Sequence, residues 1–180
     1  MPRVFIGLTI PDDIGDQLLD LQTGLDGVRW VAFDNFHLTL AFVGDVDRTH
    51  LADIDAALWG ISADAFSLTL AGGGIFGTTS PRAVWAGVQA NPQLDHLQEK
   101  VAQALRRAGA KVDSRKFTPH VTLAYCRGVG PDAAQNWQQR HNLFVTDPFD
   151  VDGIHLFQSC AGKAGVYYES LADYPLSSSR

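Results

Sequence analysis

One pentapeptide pattern occurs twice in this chain. His37-Leu38-Thr39-Leu40-Ala41 is matched by His120-Val121-Thr122-Leu123-Ala124, 83 residues further on (120 − 37). Six histidines and ten threonines in 180 residues predict only roughly 0.3 His-x-Thr triplets by chance. Two triplets with matching flanks therefore mark a duplication. A strand, helix, strand, strand, helix, strand order starts near Val4 and again near Ala83, and each pentapeptide follows its own long helical stretch. The chain is thus expected to be one domain, residues 1–180, made of two halves at about 1–75 and 82–175.

The periodicities set the elements. Residues 4–10 read as a buried strand. Pro11-Asp12-Asp13 starts a helix, because proline fits the first turn and acids fit the positive helix end. Ile14, Leu18, Leu21 and Leu25 form its apolar stripe, and Gly27 ends the segment. Residues 30–33 and 36–43 read as strands around an Asp34-Asn35 turn. A helix over 48–59 and a strand over 66–70 follow. Gly72-Gly73-Gly74 is expected to be a flexible loop; no Gly-Lys-Ser/Thr follows it, so it matches no phosphate-binding loop. The second half gives a strand over 82–89 and a helix from an Asn91 cap to about Ala108. Strands are then expected over 111–113 and 119–126, a helix over 131–141, and closing strands over 151–158 and 166–170. Residues 176–180 read as a frayed polar tail.

Strand alternation gives the pentapeptides two faces. His37, Thr39, Ala41 and Val43 should share one face, with Phe36, Leu38, Leu40 and Phe42 on the other. In the second copy, His120, Thr122, Ala124 and Cys126 should oppose Val121, Leu123 and Tyr125. The bulky apolar faces belong in a core, whereas the histidine faces suit the floor of a cleft. Two such strands related by a pseudo-two-fold would bring two imidazoles and two threonine hydroxyls together. Histidine, with a pKa near ~6.5, can take or give a proton at neutral pH. Paired imidazoles can therefore activate a nucleophile and protonate a leaving oxygen, while Thr39 and Thr122 donate hydrogen bonds to phosphoryl oxygens. A lone His-x-Thr on a strand is more often structural; the pair in register within a duplication reverses that judgement. His50, His96, His141 and His155 lack a matching threonine and are given no role. From the residues alone, neither imidazole can be singled out as acid or base.

These motifs resemble those of the two-histidine phosphoesterase superfamily, and within it the LigT-like RNA 2′,3′-cyclic phosphodiesterases. The similarity extends over nearly the whole chain. It includes Arg3 to Leu8 with Pro11, Arg29-Trp30-Val31 before Phe36 to Gly44, Gly74 to Gly77 with Arg82 to Val88, Phe117 to Ala124, and Leu156 to Ser159 with Tyr168 to Leu176. The resemblance implies an α/β (α+β) bilobal module, two antiparallel sheets around a central cleft with helices outside. It also implies hydrolysis of a terminal 2′,3′-cyclic phosphate to a 2′-phosphomonoester, and reversible 2′–5′ RNA joining in some relatives. By the same resemblance His37 would be the proton donor to the 3′-oxygen and His120 the proton acceptor from water. The chain departs from the pattern at Tyr125, where many members carry arginine. Alternation puts Arg127 beside Tyr125 and away from His120, so Arg115 and Lys116 are the alternative cations, set against a reading as a solvated turn. Phe76 is read as core, with stacking on a base as the functional alternative.

Composition excludes other classes. The net charge of −6 and the scattered basic residues do not suit a protein that coats long nucleic acid, so contact with RNA is expected at an end or a single phosphate. The cysteines, Cys126 and Cys160, are expected to be free thiols. No His/Cys cluster has zinc spacing, so no metal and no cofactor is called for. The opening apolar stretch is too short for a signal peptide. A cytoplasmic monomer acting on RNA with a terminal 2′,3′-cyclic phosphate, or on a small cyclic-phosphate nucleotide, and not on a membrane, is expected. The alternatives are a phosphodiesterase for small nucleotides and a non-catalytic module that binds phosphorylated ends.

Overall fold

A computed structural model describes residues 1–178. It is a mixed α/β fold of four α-helices and two antiparallel sheets, the class expected. In chain order the elements are β1 (Arg3–Thr9), α1 (Asp12–Leu19), β2 (Val28–Trp30), a 3-10 turn (Phe33–Asn35), β3 (His37–Asp45), α2 (Arg48–Trp59), β4 (Phe66–Leu68) and β5 (Leu70–Phe76). Then follow β6 (Ala83–Val88), α3 (Pro92–Arg107), β7 (His120–Cys126), α4 (Pro131–Arg140), β8 (Phe149–Val151), β9 (Gly153–Gly162) and β10 (Gly165–Pro175).

The large sheet runs β10-β9-β1-β3-β7-β6-β5, with β2 also paired to β7, and β4-β8 forms the small one. Apart from β10 at one edge and β2, the order is symmetric about the β3-β7 contact. There, Leu38 pairs with Val121; in the small sheet, Ser67 pairs with Asp150. Both pairs are separated by the repeat spacing of 83. Pairing of a residue with its own repeat equivalent is what a two-fold relation between the copies requires, and both contacts meet that requirement.

The helices bury one stripe each against one face of the large sheet. Ile14 and Leu18 of α1, Ile54 and Leu58 of α2, Leu94, Leu97, Val101 and Leu105 of α3, and Trp137 of α4 join Ile6, Leu38, Leu40, Val121 and Leu123 in a single core. Asp47 and Asn91 cap α2 and α3 by accepting from the backbone N–H groups of His50 and Leu94.

Both repeat strands carry an irregularity that alternation does not foresee. In the β1-β3 ladder Ile6 pairs with Ala41 and Gly7 with Thr39, skipping Leu40. In the β6-β7 ladder Val84 pairs with Ala124 and Trp85 with Thr122, skipping Leu123. Each skip is a one-residue bulge, which turns the following side chains to the opposite face. Leu40 and Ala41 are consequently both buried, as are Leu123 and Ala124. Glutamine side chains secure both bulges. Gln98 Nε2 donates to the Leu40 carbonyl at 3.3 Å, and Gln22 Nε2 to the Leu123 carbonyl at 3.0 Å.

Other expectations need correction. Alternation puts Phe42 in the core, yet it is 62% exposed, because the Leu40 bulge turns it outward. Val43 and Cys126 move to the core side. Gly72-Gly73-Gly74 is not a loop but lies within β5. Residues 111–113, the repeat equivalent of β2, form no strand. The tail is tied down rather than frayed at Ser177, whose N–H donates to the Ala63 carbonyl and which bridges Asp64; residues 179–180 of that expectation lie outside the described residues.

Leu38 is fully buried at the contact that joins the halves. Leu38→Ala should therefore cost about 2–5 kcal/mol of unfolding free energy in a denaturant titration, as for other buried leucines. A loss under about 1 kcal/mol would mean the contact contributes little to the fold.

Candidate active site

His37 and His120 open β3 and β7, just before the bulges, where the ladders are still regular. Extending the Leu38–Val121 register by one residue on each side sets His37 beside Thr122 and Thr39 beside His120. The four side chains occupy the face opposite the helices. On such a face the two histidines would stand as diagonal neighbours, a relation that typically sets residues about 7–8 Å apart and leaves room for a phosphate between the rings. His37, Thr39, His120 and Thr122 are all half-buried, and the seven residues from each histidine share one burial pattern.

Both imidazoles are held alike. His37 Nδ1 lies 2.7 Å from the Asn35 carbonyl oxygen, and His120 Nδ1 lies 2.7 Å from that of Thr118. A carbonyl oxygen only accepts, so Nδ1 carries the hydrogen in each ring. Nε2 is then a lone-pair acceptor when the ring is neutral and an N–H donor when it is charged. The same atom in each ring can therefore serve as base or acid.

Aromatic walls surround the two rings. His37 has Phe5 at 4.9 Å, Tyr168 edge-on at 4.8 Å and Phe157 at 6.4 Å between centroids. His120 has Phe76 edge-on at 4.8 Å and Trp85 at 5.6 Å. Trp85 reaches His120 because its ring lies across Gly74, where a β-carbon would sit 2.2 Å from it. Burial among these rings lowers the pKa of both histidines, partly opposed by the carbonyl hydrogen bonds. The charge of His120 depresses His37 further, so the pair resists double protonation.

Phe76 thus packs against His120 itself. Arg115 is ion-paired with Asp113 in an exposed turn, which fits the solvated-turn reading and leaves its charge neutralised; Lys116 is exposed beside it. Tyr125 is not turned away from His120. The bulge at Leu123 brings it to the histidine face, opposite Ala83 and Arg29. Sequence reasoning missed Tyr168 and Arg29 as neighbours of the site, because β10 has no repeat equivalent and the bulge is not visible in the residue pattern. His155 also stands on this face, with Nδ1 2.6 Å from its register partner Asp173, where it ties β9 to β10. His50 contacts the Ala108 carbonyl, and His141 packs on Trp137. Cys126 and Cys160 are free. Among the described residues no three His, Cys, Asp or Glu side chains group as metal ligands.

Residues 11–162 match the family model of the 2′-5′ RNA ligase superfamily. A Geobacillus stearothermophilus protein named RNA 2′,3′-cyclic phosphodiesterase is 34% identical over 160 residues, covering 87% of this chain and 50% of its own length. A protein of the same name from Archaeoglobus fulgidus is 28% identical over 173 residues, covering 94% of this chain and 97% of its own. The chain thus spans half of the first relative and nearly all of the second. Among solved structures, E. coli LigT complexed with 3′-AMP aligns with a TM-score of 0.79 at 26% identity, covering 98% of this chain and 99% of that one. A Thermus thermophilus protein matches in fold, with a TM-score of 0.81 at 23% identity over 99% of this chain and 100% of that one.

The electrostatics can be checked directly. In an NMR titration both histidines should titrate below the ordinary value near ~6.5, with the Nδ1–H tautomer dominant in the neutral form. His120→Gln should raise the pKa of His37, since a repelling charge is removed. A His37 pKa that is unchanged or lower in that variant would show that the rings do not interact.

Proposed function

This chain belongs to the 2′-5′ RNA ligase superfamily, and we propose that it is an RNA 2′,3′-cyclic phosphodiesterase, a metal-independent phosphoric diester hydrolase. The observation that carries the reading is the matched pair of histidines on one sheet face, each with Nδ1 tied to a carbonyl and Nε2 left for chemistry. We read residues 1–180 as one unit built from halves at about 1–75 and 82–175, acting as a cytoplasmic monomer on RNA ends. No helix among the described residues is long and apolar enough to cross a membrane.

In the proposed mechanism the cyclic phosphate sits between the rings, and its oxygens accept hydrogen bonds from Thr39 and Thr122. His120 Nε2 takes a proton from water as the water oxygen bonds to phosphorus. The bond from phosphorus to the ribose 3′-oxygen breaks on the far side, and His37 Nε2 gives its proton to that oxygen. The products are a 2′-phosphomonoester and a free 3′-hydroxyl. The protons end exchanged between the rings, and solvent resets them. With an RNA 5′-hydroxyl in place of water, the same two transfers give 2′–5′ joining. The direction assigned to the two rings follows the family resemblance.

The direct test is incubation of the purified protein, with chelator present, on an RNA ending in a 2′,3′-cyclic phosphate. A 2′-phosphate product is expected. A 3′-phosphate product, or activity that needs added zinc or magnesium, would overturn the mechanism.

Substitutions should separate the roles. His37→Ala or His120→Ala should lower kcat by roughly 10²–10⁴-fold with the fold intact, because a proton transfer is lost. Thr39→Ala or Thr122→Ala should cost about 10–10³-fold, one donor among several. The profile of kcat/KM against pH should be bell-shaped, rising as one ring becomes neutral and falling as the other loses its proton. Because both pKa values are lowered, the bell should be centred below the ordinary histidine range. A folded His120→Ala protein with near-native turnover would make the second motif structural.

A further inference from the structure

The histidine face carries a guanidinium that no carboxylate neutralises. Arg29 is exposed on β2, directly opposite Tyr125 of β7, with its guanidinium carbon 5.2 Å from the Tyr125 ring centroid. The two ion pairs among the described residues are Arg115–Asp113 and His155–Asp173, so Arg29 has no acidic partner there. The Tyr168 hydroxyl feels both Tyr125 and Arg29 electrostatically, and the Tyr168 ring stands 4.8 Å from that of His37. A continuous path therefore runs from the reacting histidine through two phenols to a free guanidinium. The tip of the β9-β10 hairpin flanks it, since a β-carbon on Gly165 would lie 3.9 Å from Arg29 Nη1.

We propose that Arg29, stacked on Tyr125 beside Tyr168, holds a backbone phosphate of the RNA upstream of the reacting end, and so makes the enzyme prefer RNA ends to cyclic mononucleotides. This rests on the phosphodiesterase reading above. Guanidinium is planar, stays charged and presents paired N–H donors that match phosphate oxygens. On a protein of net charge −6, a guanidinium without a carboxylate partner beside the histidine face attracts an anion at that spot rather than along a stripe. The two rings of Tyr125 and Tyr168 separate Arg29 from His37, so it serves a phosphate other than the reacting one. A 2′,3′-cyclic phosphate is by its chemistry the 3′ end, hence every further phosphate lies on its 5′ side. A mononucleotide has none to offer.

The test compares wild type, Arg29→Ala and Arg29→Lys on a cyclic-phosphate mononucleotide and on a pentaribonucleotide with the same end. Binding of the pentaribonucleotide 2′-phosphate is followed in parallel by fluorescence anisotropy over a range of NaCl. Arg29→Ala should lower kcat/KM on the pentaribonucleotide about tenfold, mainly through KM, with a much smaller fall on the mononucleotide. It should also reduce the slope of log affinity against log salt by roughly 0.7, the loss of one single-strand phosphate contact. Arg29→Lys should keep most of the salt slope, because it keeps the charge. An equal fall on both substrates, or an unchanged salt slope, would overturn the proposal and leave Arg29 a structural residue. If the wild type opens neither substrate, the phosphodiesterase reading fails on its own, and the anisotropy series still decides whether Arg29 grips the chain.

Discussion

The pairing of Leu38 with Val121 is the contact on which the rest of the structure depends. Each of these residues is the repeat equivalent of the other, so a two-fold relation between the copies would put its axis between them. An axis brings equivalent groups together only when they lie close to it, and the histidines precede the paired residues by one position. A strand rises about 3.3 Å per residue, and a shift along one copy is mirrored in the other. Moving the motif three residues along both strands would therefore separate the rings by far more than a phosphate can bridge. The buried side chains of Leu38 and Val121 also hold the register. A one-residue slip would expose both and turn the histidines into the core.

Given that register, the local backbone does most of the tuning. Each imidazole is clamped by the carbonyl two residues earlier, which fixes the tautomer and aims Nε2 at the open face. The surrounding rings favour the neutral forms, whereas the carbonyl bonds favour the charged ones. Burial wins in both cases. A neutral pair has a ready base but a scarce acid, and proximity of the rings favours having only one charged at a time. On the proposed mechanism, a phosphate anion between them would stabilise that single charge, which couples occupancy of the site to assembly of the acid–base pair.

Much of this is legible in the residues because it depends on local pattern. The 83-residue spacing, the stripe of α3, the caps at Asp47 and Asn91 and both His-x-Thr motifs can all be read without coordinates. The bulges cannot, since Leu40-Ala41 and Leu123-Ala124 look like ordinary strand residues. They are held by paired glutamines, Gln98 and Gln22, that reach in from segments distant in sequence. Simple alternation therefore fails at Phe42 and Tyr125, the first outward positions after each bulge. The strand expected over 111–113 rests on symmetry with β2, and there the duplication is broken. Gly74 reads as a loop glycine, but its role is to let a tryptophan lie flat across a strand.

That broken symmetry bears on direction. A symmetric pair of imidazoles has no intrinsic preference for which ring faces water and which faces the leaving oxygen. Any preference must come from elements present only once. Two such elements are β2, which has no strand equivalent at 111–113, and β10, which follows the second copy without a counterpart. They converge at one place, where Arg29 of β2 lies over Tyr125 and Tyr168 of β10 links Tyr125 to His37. Around Phe42, the repeat equivalent of Tyr125, the facing ring is the apolar Phe5, and no guanidinium stacks on Phe42 among the described residues. On the proposed function, the end with Arg29 is the one suited to a ribose or a backbone phosphate. On the proposed function, the asymmetry needed to orient a substrate is thus supplied beside the two His-x-Thr motifs, not by the motifs themselves.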